Sequence, residues 1–266
     1  MEENYLDHNR NAWNKRSELH INSEFYDVEG FLKGKSSLNS IELELLGEVK
    51  GKSVLHLQCH FGQDSLSISR LGAEVTGVDL SDKAIEMAKE LAKKDQSTAQ
   101  FICCNLYDLS SHLDEKFDVV FTSYGTIGWL SDLNKWADLI RHFLKPNGKF
   151  VFVEFHPFIW MYDDNLEKIQ YNYFKNEAII ETKEHSYTDG KLTETITDVS
   201  WNHGLSEVFK SLIDNKLNID SFEEYDYSPY DIFKDGEEFE KGKFRVKKWG
   251  NKVPLVYSIT ATKVAE

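Results

Sequence analysis

The residues best placed for chemistry form a short turn and an acid that follows it along the chain. In the stretch 54–64, VLHLQCHFGQD, an apolar run predicts a strand, Gly62 predicts a turn, and the next residues predict a helix. Such a turn presents free backbone N–H groups and a helix N-terminus to a ligand. Asp79 ends the next predicted strand. A carboxylate there can accept both hydroxyl hydrogens of a ribose, which is typical of nucleotide-type binding at the carboxyl edge of a parallel sheet.

The glycine content of the turn argues against a pyrophosphate ligand. A dinucleotide-binding turn reads G-x-G-x-x-G so that the backbone can approach the pyrophosphate, and here only Gly62 is present. A ligand with a ribose but no pyrophosphate fits better, and S-adenosylmethionine is such a ligand. A nicotinamide-dependent reductase is the weaker alternative, which robust NADH binding would support.

The histidines and the cysteine of this turn are interpreted as lining residues and not as metal ligands. His56 and His60 are four positions apart, which suits a metal pair on a helix, but these two residues span a strand and a turn. Cys59 between them is expected to be a packed thiol. We therefore expect no metal site.

Several side chains at or after predicted strand ends could form a substrate site, since α/β sites form there. They are Tyr124, Trp129, His156, Tyr162 and Trp201. His156 is the best candidate for a general base, because its unperturbed pKa lies near neutrality, and Tyr124 is the other catalytic candidate. Ordinary aromatic packing explains this set equally well. Trp13 and Tyr26 either close over a cofactor from the N-terminal segment or simply dock a helix.

The elements that must position these residues alternate regularly in the middle of the chain. Strands are predicted at 53–58, 74–79, 100–104, 117–123 and 149–155, and helices at 63–71, 82–94 and 132–144. Gly72 and Ser81 are expected to cap helices, and residues 145–148 to form a turn. This alternation predicts right-handed βαβ units and a parallel sheet that helices cover on both faces.

The two ends of the chain follow other patterns. Helices are predicted at 3–18, 37–47 and 204–216, and strands at 218–226 and 254–263. Residues 168–201 alternate polar and apolar side chains about a turn at 188–191, which predicts a β-hairpin. We interpret 1–266 as a single domain, with an N-terminal helical lid at 1–50, a cofactor-binding core at 51–157, an inserted hairpin or cap at 158–203, and the C-terminal part of the core at 204–266.

Composition limits the partners. The formal net charge of −14 disfavours nucleic acid and anionic membrane surfaces, which bind mainly through Lys and Arg. The three cysteines are odd in number and lack a paired spacing, which favours reduced thiols in a cytoplasmic protein. The N-terminus lacks the apolar core of a signal peptide, and no apolar stretch approaches the length of a membrane span. Nothing in the sequence indicates the oligomeric state.

The stretch 53–155 resembles the core of the class I, Rossmann-like S-adenosylmethionine-dependent methyltransferases. The family's first motif usually reads V-L-D-L-G-C-G-x-G, and here His56 replaces the acid while Gln58 and His60 replace two glycines. The segment 77–81, GVDLS, matches the second motif, and Asn105 replaces the Asp of the third. The segments 117–124 and 144–148 match the fourth motif and the L-K-P-G-G turn. The variant HLQCHFGQDS itself resembles a bacterial, small-molecule branch of the type 11/12-like members.

The resemblance implies which residues bind the cofactor. They are Gln58, His60, Gly62, Asp79, Leu80, Asn105, Leu106 and Ser123. Asp79 would bind the ribose hydroxyls, Leu80 would pack on the adenine, and the side-chain oxygen of Asn105 would accept a hydrogen bond from the adenine amino group. Leu106 would offer backbone contacts or packing. The three turn residues would surround the methionine part, and Ser123 would lie below it.

The resemblance also implies the fold and the activity. We expect a mostly parallel seven-stranded Rossmann-like sheet with an antiparallel last strand, helices on both faces, an N-terminal helical lid and an inserted β-hairpin. The expected reaction is methyl transfer from S-adenosylmethionine to a small-molecule nucleophile through oxygen, nitrogen or carbon. The alternative is a catalytically inactive methyltransferase-like protein that binds a nucleoside or acts as a scaffold, because His56, Gln58 and His60 depart from the family's motif. The sequence leaves open the acceptor and the need for a general base.

Overall fold

Seven strands form the central sheet of this computed structural model, which describes residues 4–188 and 191–264. They are β1 Ser53–Leu57, β2 Glu74–Asp79, β3 Gln100–Cys103, β4 Phe117–Ser123, β5 Leu144–Phe155, β8 Leu217–Tyr225 and β11 Val256–Lys263. Two small sheets pair β6 Ile179–His185 with β7 Lys191–Ser200, and β9 Gly236–Glu240 with β10 Lys243–Val246. The order in the central sheet is β3-β2-β1-β4-β5-β11-β8.

The strand directions confirm the predicted architecture. Neighbours from β3 to β5 pair in parallel, whereas β11 is antiparallel to both β5 and β8. The apolar runs at 119–121 and 151–153 are almost fully buried, as expected of strands that are covered on both faces. Because β1, β2 and β4 run in parallel, the turns that follow them meet at one edge of the sheet.

Helices cover both faces of the sheet. They are α1 Tyr5–His20, α2 Val28–Leu32, α3 Ser40–Leu46, α4 Gln63–Arg70, α5 Asp82–Asp95, α6 Leu133–Phe143 and α7 Leu205–Asp214. One buried cluster lies under α6 and α7, and the indole of Trp136 packs edge-on against Phe150 and Phe152 there. A second cluster lies under α4, α5 and the N-terminal segment. Within the described ranges, no helix is both long and apolar enough to cross a membrane.

The predicted caps are present, and one predicted boundary is wrong. The Ser81 hydroxyl accepts a hydrogen bond from Ala84 N at 3.0 Å, and Gly72 adopts a left-handed φ of 91°. The last sheet strand before the insertion begins at Leu144 and not at residue 149. The expected turn at 145–148 interrupts the pairing within β5, because Phe117 pairs with Leu144 and Val119 with Lys149, and Asn147 has a left-handed φ of 62°.

The insertion is a hairpin, as predicted, but its first strand is shorter than the pattern indicated. β6 begins at Ile179 and not near residue 168, and the segment before it is irregular. Residues 189–190 of the predicted turn lie outside the described residues. The β9–β10 hairpin was not predicted, since its first strand is short, acidic and fully exposed and carries no apolar alternation.

Buried polar contacts join the N-terminal helix to the inserted hairpin. The Asn9 amide donates to Val199 O at 2.8 Å and accepts from Val199 N at 2.9 Å, so α1 pairs with the backbone of β7. The Arg16 guanidinium binds both oxygens of Asp198, and both side chains are buried. These contacts hold α1 and the hairpin together.

Candidate active site

A cavity of about 790 Å³ lies at the carboxyl edge of the parallel strands. Its floor comes from residues 58–64, 79–80, 104–106 and 123–130, which follow β1, β2, β3 and β4. Side chains from α1 and from the β6–β7 hairpin form much of the opposite wall. Every position for which the family resemblance implied a cofactor contact belongs to the cavity floor. The structure therefore brings the sequence-predicted residues together in one cavity.

The turn after β1 keeps the backbone form of a glycine-rich loop although two of its glycines are replaced. Gln58 and His60 have left-handed φ angles of 54° and 51°, and Gly62 has a φ of 80°. A Cβ on Gly62 would come within 2.7 Å of the Phe101 ring, so both backbone angle and space require glycine there. A non-glycine residue in this conformation costs on the order of 1–2 kcal/mol, and the contacts described next hold the two strained residues.

The amide nitrogen of Gln58 has a hydrogen-bond partner, whereas its amide oxygen has none among the described residues. Its amide nitrogen donates to Thr126 O at 2.8 Å, which ties the β1 turn to the loop after β4. Its amide oxygen is buried, and no described group hydrogen-bonds to it. Buried acceptors are rarely left unpaired, and Gln58 lines the cavity. This oxygen therefore suits a hydrogen-bond donor of a bound ligand.

Asp79 is positioned by backbone N–H groups at the end of β2. One carboxylate oxygen accepts from His60 N at 2.8 Å and the other accepts from Ser81 N at 2.9 Å. Burial raises the pKa of Asp79, and these backbone hydrogen bonds oppose that rise. Each carboxylate oxygen can accept a second hydrogen bond. Asp79 can therefore receive two hydroxyl groups, as a ribose requires, and the neighbouring Leu80 is half-buried in the cavity wall.

Asn105 has a local structural role in addition to its place in the cavity wall. It precedes a 3-10 turn, Leu106–Ser111, and its side-chain oxygen accepts from Tyr107 N at 3.4 Å while its nitrogen donates to Asp108 at 3.1 Å. The contact of 3.4 Å is long for a hydrogen bond, so this oxygen retains capacity for another donor. Leu106 is buried and joins the main core cluster.

Glu154, which the sequence analysis missed, organises the loop after β4. Its buried carboxylate accepts hydrogen bonds from the backbone N–H groups of Gly125, Thr126 (2.7 Å) and Ile127 (3.2 Å), and from the Thr126 hydroxyl at 3.0 Å. Burial raises the pKa of Glu154, whereas the backbone hydrogen bonds lower it. The signal in the sequence was a lone acid inside the apolar strand KFVFVEF. Since Thr126 O holds Gln58, Glu154 positions the cavity floor indirectly.

The histidines of the β1 turn are buried and differ in their surroundings. His56 packs on Phe121, and its Nδ1 lies 2.7 Å from the Ser65 hydroxyl; burial lowers the pKa of His56 to about 3. His60 packs among rings, and its Nε2 lies 3.3 Å from His20 Nδ1. Burial and then the neighbouring His20 lower the pKa of His60 well below its usual range. Both imidazoles are therefore neutral at physiological pH.

Asp64 is a second carboxylate that the sequence analysis missed. It lies in the first turn of α4, directly after the β1 turn, and lines the cavity. Burial raises the pKa of Asp64 to about 6, and hydrogen bonds from the hydroxyls of Ser37 and Ser123 oppose this rise. Its position two residues after Gly62 was the available signal, because the first turn of a helix that follows a binding turn lies against the same cavity.

The two catalytic candidates lie in different surroundings. Tyr124 lines the cavity and donates to Glu42 Oε2 at 3.0 Å, and burial raises the pKa of Tyr124 well above its usual value. His156 does not contribute to the described cavity wall. Its Nδ1 accepts from Phe158 N at 3.1 Å, and its Nε2 lies 3.0 Å from Glu224. The remaining aromatic candidates, Trp129, Tyr162 and Trp201, line the cavity.

Aromatic residues of the N-terminal segment form part of the cavity wall. The Trp13 ring lies edge-on to His60 and to Trp129, at centroid distances of 5.5 and 5.4 Å. The Tyr26 hydroxyl lies 2.5 Å from the Tyr187 hydroxyl, which joins the N-terminal segment to the residues after β6. The sequence left open whether Trp13 and Tyr26 face a ligand or dock a helix, and the structure brings both into the wall.

Comparison with known proteins supports the interpretation of this site. Residues 55–152 match the family model of a methyltransferase domain. The chain is 26% identical over 237 residues to an uncharacterised methyltransferase, YbaJ, of Bacillus subtilis. This match covers 82% of this chain and 89% of that protein. It is 27% identical over 132 residues to a ubiquinone biosynthesis O-methyltransferase of Coxiella burnetii, with 48% of this chain and 56% of that protein covered.

Solved structures show the same fold. A putative S-adenosylmethionine-dependent methyltransferase from Listeria monocytogenes superposes with a TM-score of 0.57 at 20% identity, over 84% of this chain and 95% of that chain. A second S-adenosylmethionine-dependent methyltransferase, from Methanosarcina mazei, superposes with a TM-score of 0.58 at 19% identity, over 86% of this chain and 99% of that chain. These findings identify residues 55–152 as a methyltransferase domain and show that the chain has the fold of the S-adenosylmethionine-dependent methyltransferases.

Proposed function

We propose that the protein transfers the methyl group of S-adenosylmethionine to a small-molecule nucleophile within the cavity. The supporting observation is the cavity itself, which has a volume of about 790 Å³ and lies between the sheet edge and the joined α1 and hairpin. Small-molecule sites typically span roughly 300–1,000 Å³. A small acceptor fits such a covered cavity better than a polymer, and the net charge of −14 further disfavours a nucleic acid.

The residues of the cavity floor fit the parts of the cofactor. Asp79 would bind the ribose hydroxyls through its remaining acceptor capacity, and the unpaired oxygen of Gln58 would accept from the ammonium of the methionine part. Leu80 and Leu106 would pack against the adenine, and the side-chain oxygen of Asn105 would accept a hydrogen bond from the adenine amino group. His60, Gly62 and Ser123 would complete the methionine pocket. The bound cofactor supplies a methyl group that its sulfonium already activates.

The protein's own contribution is alignment and exclusion of water, since the donor needs no further activation. Residues 51–157 and 204–266 would form the core that carries the cofactor, and residues 1–50 and 158–203 would act as lid and cap. The buried Arg16–Asp198 and Asn9–Val199 contacts support this division, because they join the lid to the cap. The three cysteines are free thiols, which supports a cytoplasmic location.

Calorimetric titration of the purified protein tests this proposal. We expect S-adenosylmethionine and S-adenosylhomocysteine to bind, NADH not to bind, and Asp79→Ala to abolish binding of both adenosyl ligands. Asp138→Ala removes an exposed acid on α6, outside the site, and is expected to leave their affinities unchanged. Selective NADH binding, or unchanged adenosyl-ligand affinity in Asp79→Ala, would sink the assignment.

A further inference from the structure

Among the described residues, Asp64 lines the cavity without a cationic partner, and it also lacks the backbone N–H donors that hold Asp79 and Glu154. Asp198 is paired with Arg16, Asp27 with Lys35, and Glu181 with Lys183. Within residues 4–188 and 191–264, no salt bridge includes Asp64, whose hydrogen bonds come from two serine hydroxyls. Asp64 is half-buried, and withdrawing a carboxylate from water without a counter-charge is unfavourable. A ligand that brings a positive charge would relieve that cost.

Four aromatic residues line the same cavity as this acid. Phe25, Tyr26, Tyr124 and Tyr230 all line the cavity, and we call these four residues the aromatic box. Phe25 lies 5.0 Å from Tyr26 and 5.6 Å from Tyr230, and Tyr230 lies 5.1 Å from Tyr124, measured between ring centroids. Burial raises the pKa values of the three tyrosines, and the negative charge of Asp64 adds to that rise. The acid and the rings therefore form one group.

Protein partners already occupy the hydroxyl groups of the box. Tyr26 is bonded to Tyr187, Tyr124 donates to Glu42, and Tyr230 accepts from the Asn39 amide at 2.9 Å. The aromatic box would therefore contact a ligand mainly through the surfaces of its rings. The faces of aromatic rings attract cations, and boxes of this kind recognise ammonium groups.

We propose that Asp64 and the aromatic box bind the ammonium group of an amine acceptor, so that methyl transfer occurs to nitrogen. This inference rests on the proposed function, since it names the substrate class of the same cavity. A carboxylate acceptor would be repelled by the Asp64 carboxylate. A neutral alcohol would gain little from the rings and would leave Asp64 without a counter-charge.

Asp64 also provides a destination for the proton that the amine must lose. One N–H proton of the ammonium moves to the Asp64 carboxylate, and the freed lone pair forms the new N–C bond. The bond between the methyl carbon and sulfur breaks, and its electron pair stays on sulfur. The products are S-adenosylhomocysteine and a methylated ammonium, and Asp64 then releases its proton to water. The titratable groups facing Asp64 are Cys59, Tyr26, Glu42, Tyr124 and Tyr230, none of them cationic.

The methionine ammonium of the cofactor is the competing cation for Asp64. The unpaired oxygen of Gln58 is better placed for that group, because Gln58 belongs to the β1 turn itself. Asp64 lies in the first turn of α4, and its hydroxyl partners are Ser37, from the segment before α3, and Ser123. The methionine ammonium of the cofactor thus has Gln58 as its partner, and the ammonium of the acceptor has Asp64.

Matched probe ligands test the inference on the full chain. Phenethylamine, 2-phenylethanol and phenylacetate share a ring and a two-carbon chain or a close equivalent, but differ in the charge of the terminal group. Each is titrated calorimetrically into protein saturated with S-adenosylhomocysteine. We expect phenethylamine to bind at least roughly ten-fold more tightly than the other two, as a charge-assisted contact implies.

Charge-removing variants locate the site. Asp64→Asn is expected to weaken phenethylamine binding roughly 10- to 100-fold and to leave the affinity for S-adenosylhomocysteine unchanged. Glu181→Gln removes a cavity-wall acid that Lys183 already pairs, and should leave both affinities within about two-fold.

The outcomes separate this inference from the proposed function. Absence of phenethylamine binding, or equal binding of the three probes, overturns the amine assignment without requiring any variant to fold. Unchanged phenethylamine affinity in Asp64→Asn also overturns it. If a folded Asp64→Asn protein, checked by circular dichroism, loses affinity for S-adenosylhomocysteine, then Asp64 belongs to the cofactor. If the unmodified protein fails to bind S-adenosylhomocysteine, the proposed function itself fails.

Discussion

The guanidinium of Arg16 binds both carboxylate oxygens of Asp198, and this buried ion pair joins α1 to β7 across most of the chain. The same guanidinium lies 5.2 Å from the centroid of the Trp13 ring and 5.7 Å from that of Trp129. One cation therefore connects the N-terminal helix, the inserted hairpin and the loop after β4. All four residues line the cavity, so its integrity depends on this pair.

Removing the carboxylate of this pair should destabilise the fold. We expect Asp198→Asn to lower the free energy of unfolding by about 3–5 kcal/mol, because Arg16 would remain buried without a counter-charge. Chemical denaturation measures the change. Glu194→Gln breaks an exposed ion pair with Lys15 between the same two elements and should have little effect. Equal losses in the two variants would show that burial of the pair is unimportant.

Substitution of Gly62 should damage both stability and cofactor binding. In Gly62→Ala, the new methyl group would meet the Phe101 ring at 2.7 Å and the backbone would keep a φ of 80°. We expect a loss of about 2–4 kcal/mol from strain and overpacking together. Gly242→Ala is the matched control, since Gly242 has a φ of 71° with no atom within 4 Å of a Cβ. If Gly62→Ala loses no more unfolding free energy than Gly242→Ala, the contact with the Phe101 ring does not contribute to the loss.

Glu154 should affect cofactor affinity without touching the cofactor. Glu154→Gln replaces an acceptor oxygen with an N–H₂ group that faces the backbone N–H donors of residues 125–127. We expect unfolding free energy to fall by about 2 kcal/mol or more. Displacement of Thr126 O should also release Gln58 and weaken S-adenosylhomocysteine binding. Calorimetry on Glu154→Gln at a temperature where it is folded measures the second effect, and unchanged affinity would contradict the linkage through Gln58.

Glu42 should make stability depend on pH. Burial, followed by the charge of Asp64, raises the pKa of Glu42 from 4.5 to about 7. Between pH 4.5 and 7, the folded state therefore keeps a proton on Glu42 that the unfolded state has released. The stability that this proton contributes is fully present below pH 4.5 and is lost as the pH rises through 7. Asn39 and Tyr124 bond this carboxylate directly. Glu42→Gln should therefore lose this dependence.

The measurement is the difference in unfolding free energy between the unmodified protein and Glu42→Gln at several pH values. The difference is needed because His20 and His56, whose pKa values burial lowers to about 3, act in the opposite direction over part of the same range. We expect the unmodified protein to lose stability relative to the variant as the pH rises from 5 to 8. A constant difference would mean that the pKa of Glu42 is not raised.

Local pattern determined the core of the fold. The bounds predicted for β2 and β4 agree with the structure, since apolar runs bounded by turn residues identify buried strands. Gly62 and Asp79 were also visible in the sequence, because a glycine turn after one strand and an acid after the next must meet at the edge of a parallel sheet. Their partners, the N–H groups of His60 and Ser81, are local as well.

Tertiary structure alone decided which distant side chains share the cavity with the β1 turn. Asp64, Tyr124 and Tyr230 come from separate elements, and no periodicity in the sequence indicates that they meet. In the sequence, Glu154 is only a polar residue within an apolar strand. The structure shows that its carboxylate accepts hydrogen bonds from the loop after β4. His156 follows its strand as a catalytic base could, yet it lies outside the described cavity wall. Spacing along the chain determines which elements form, whereas the packing of distant segments determines which side chains share a cavity.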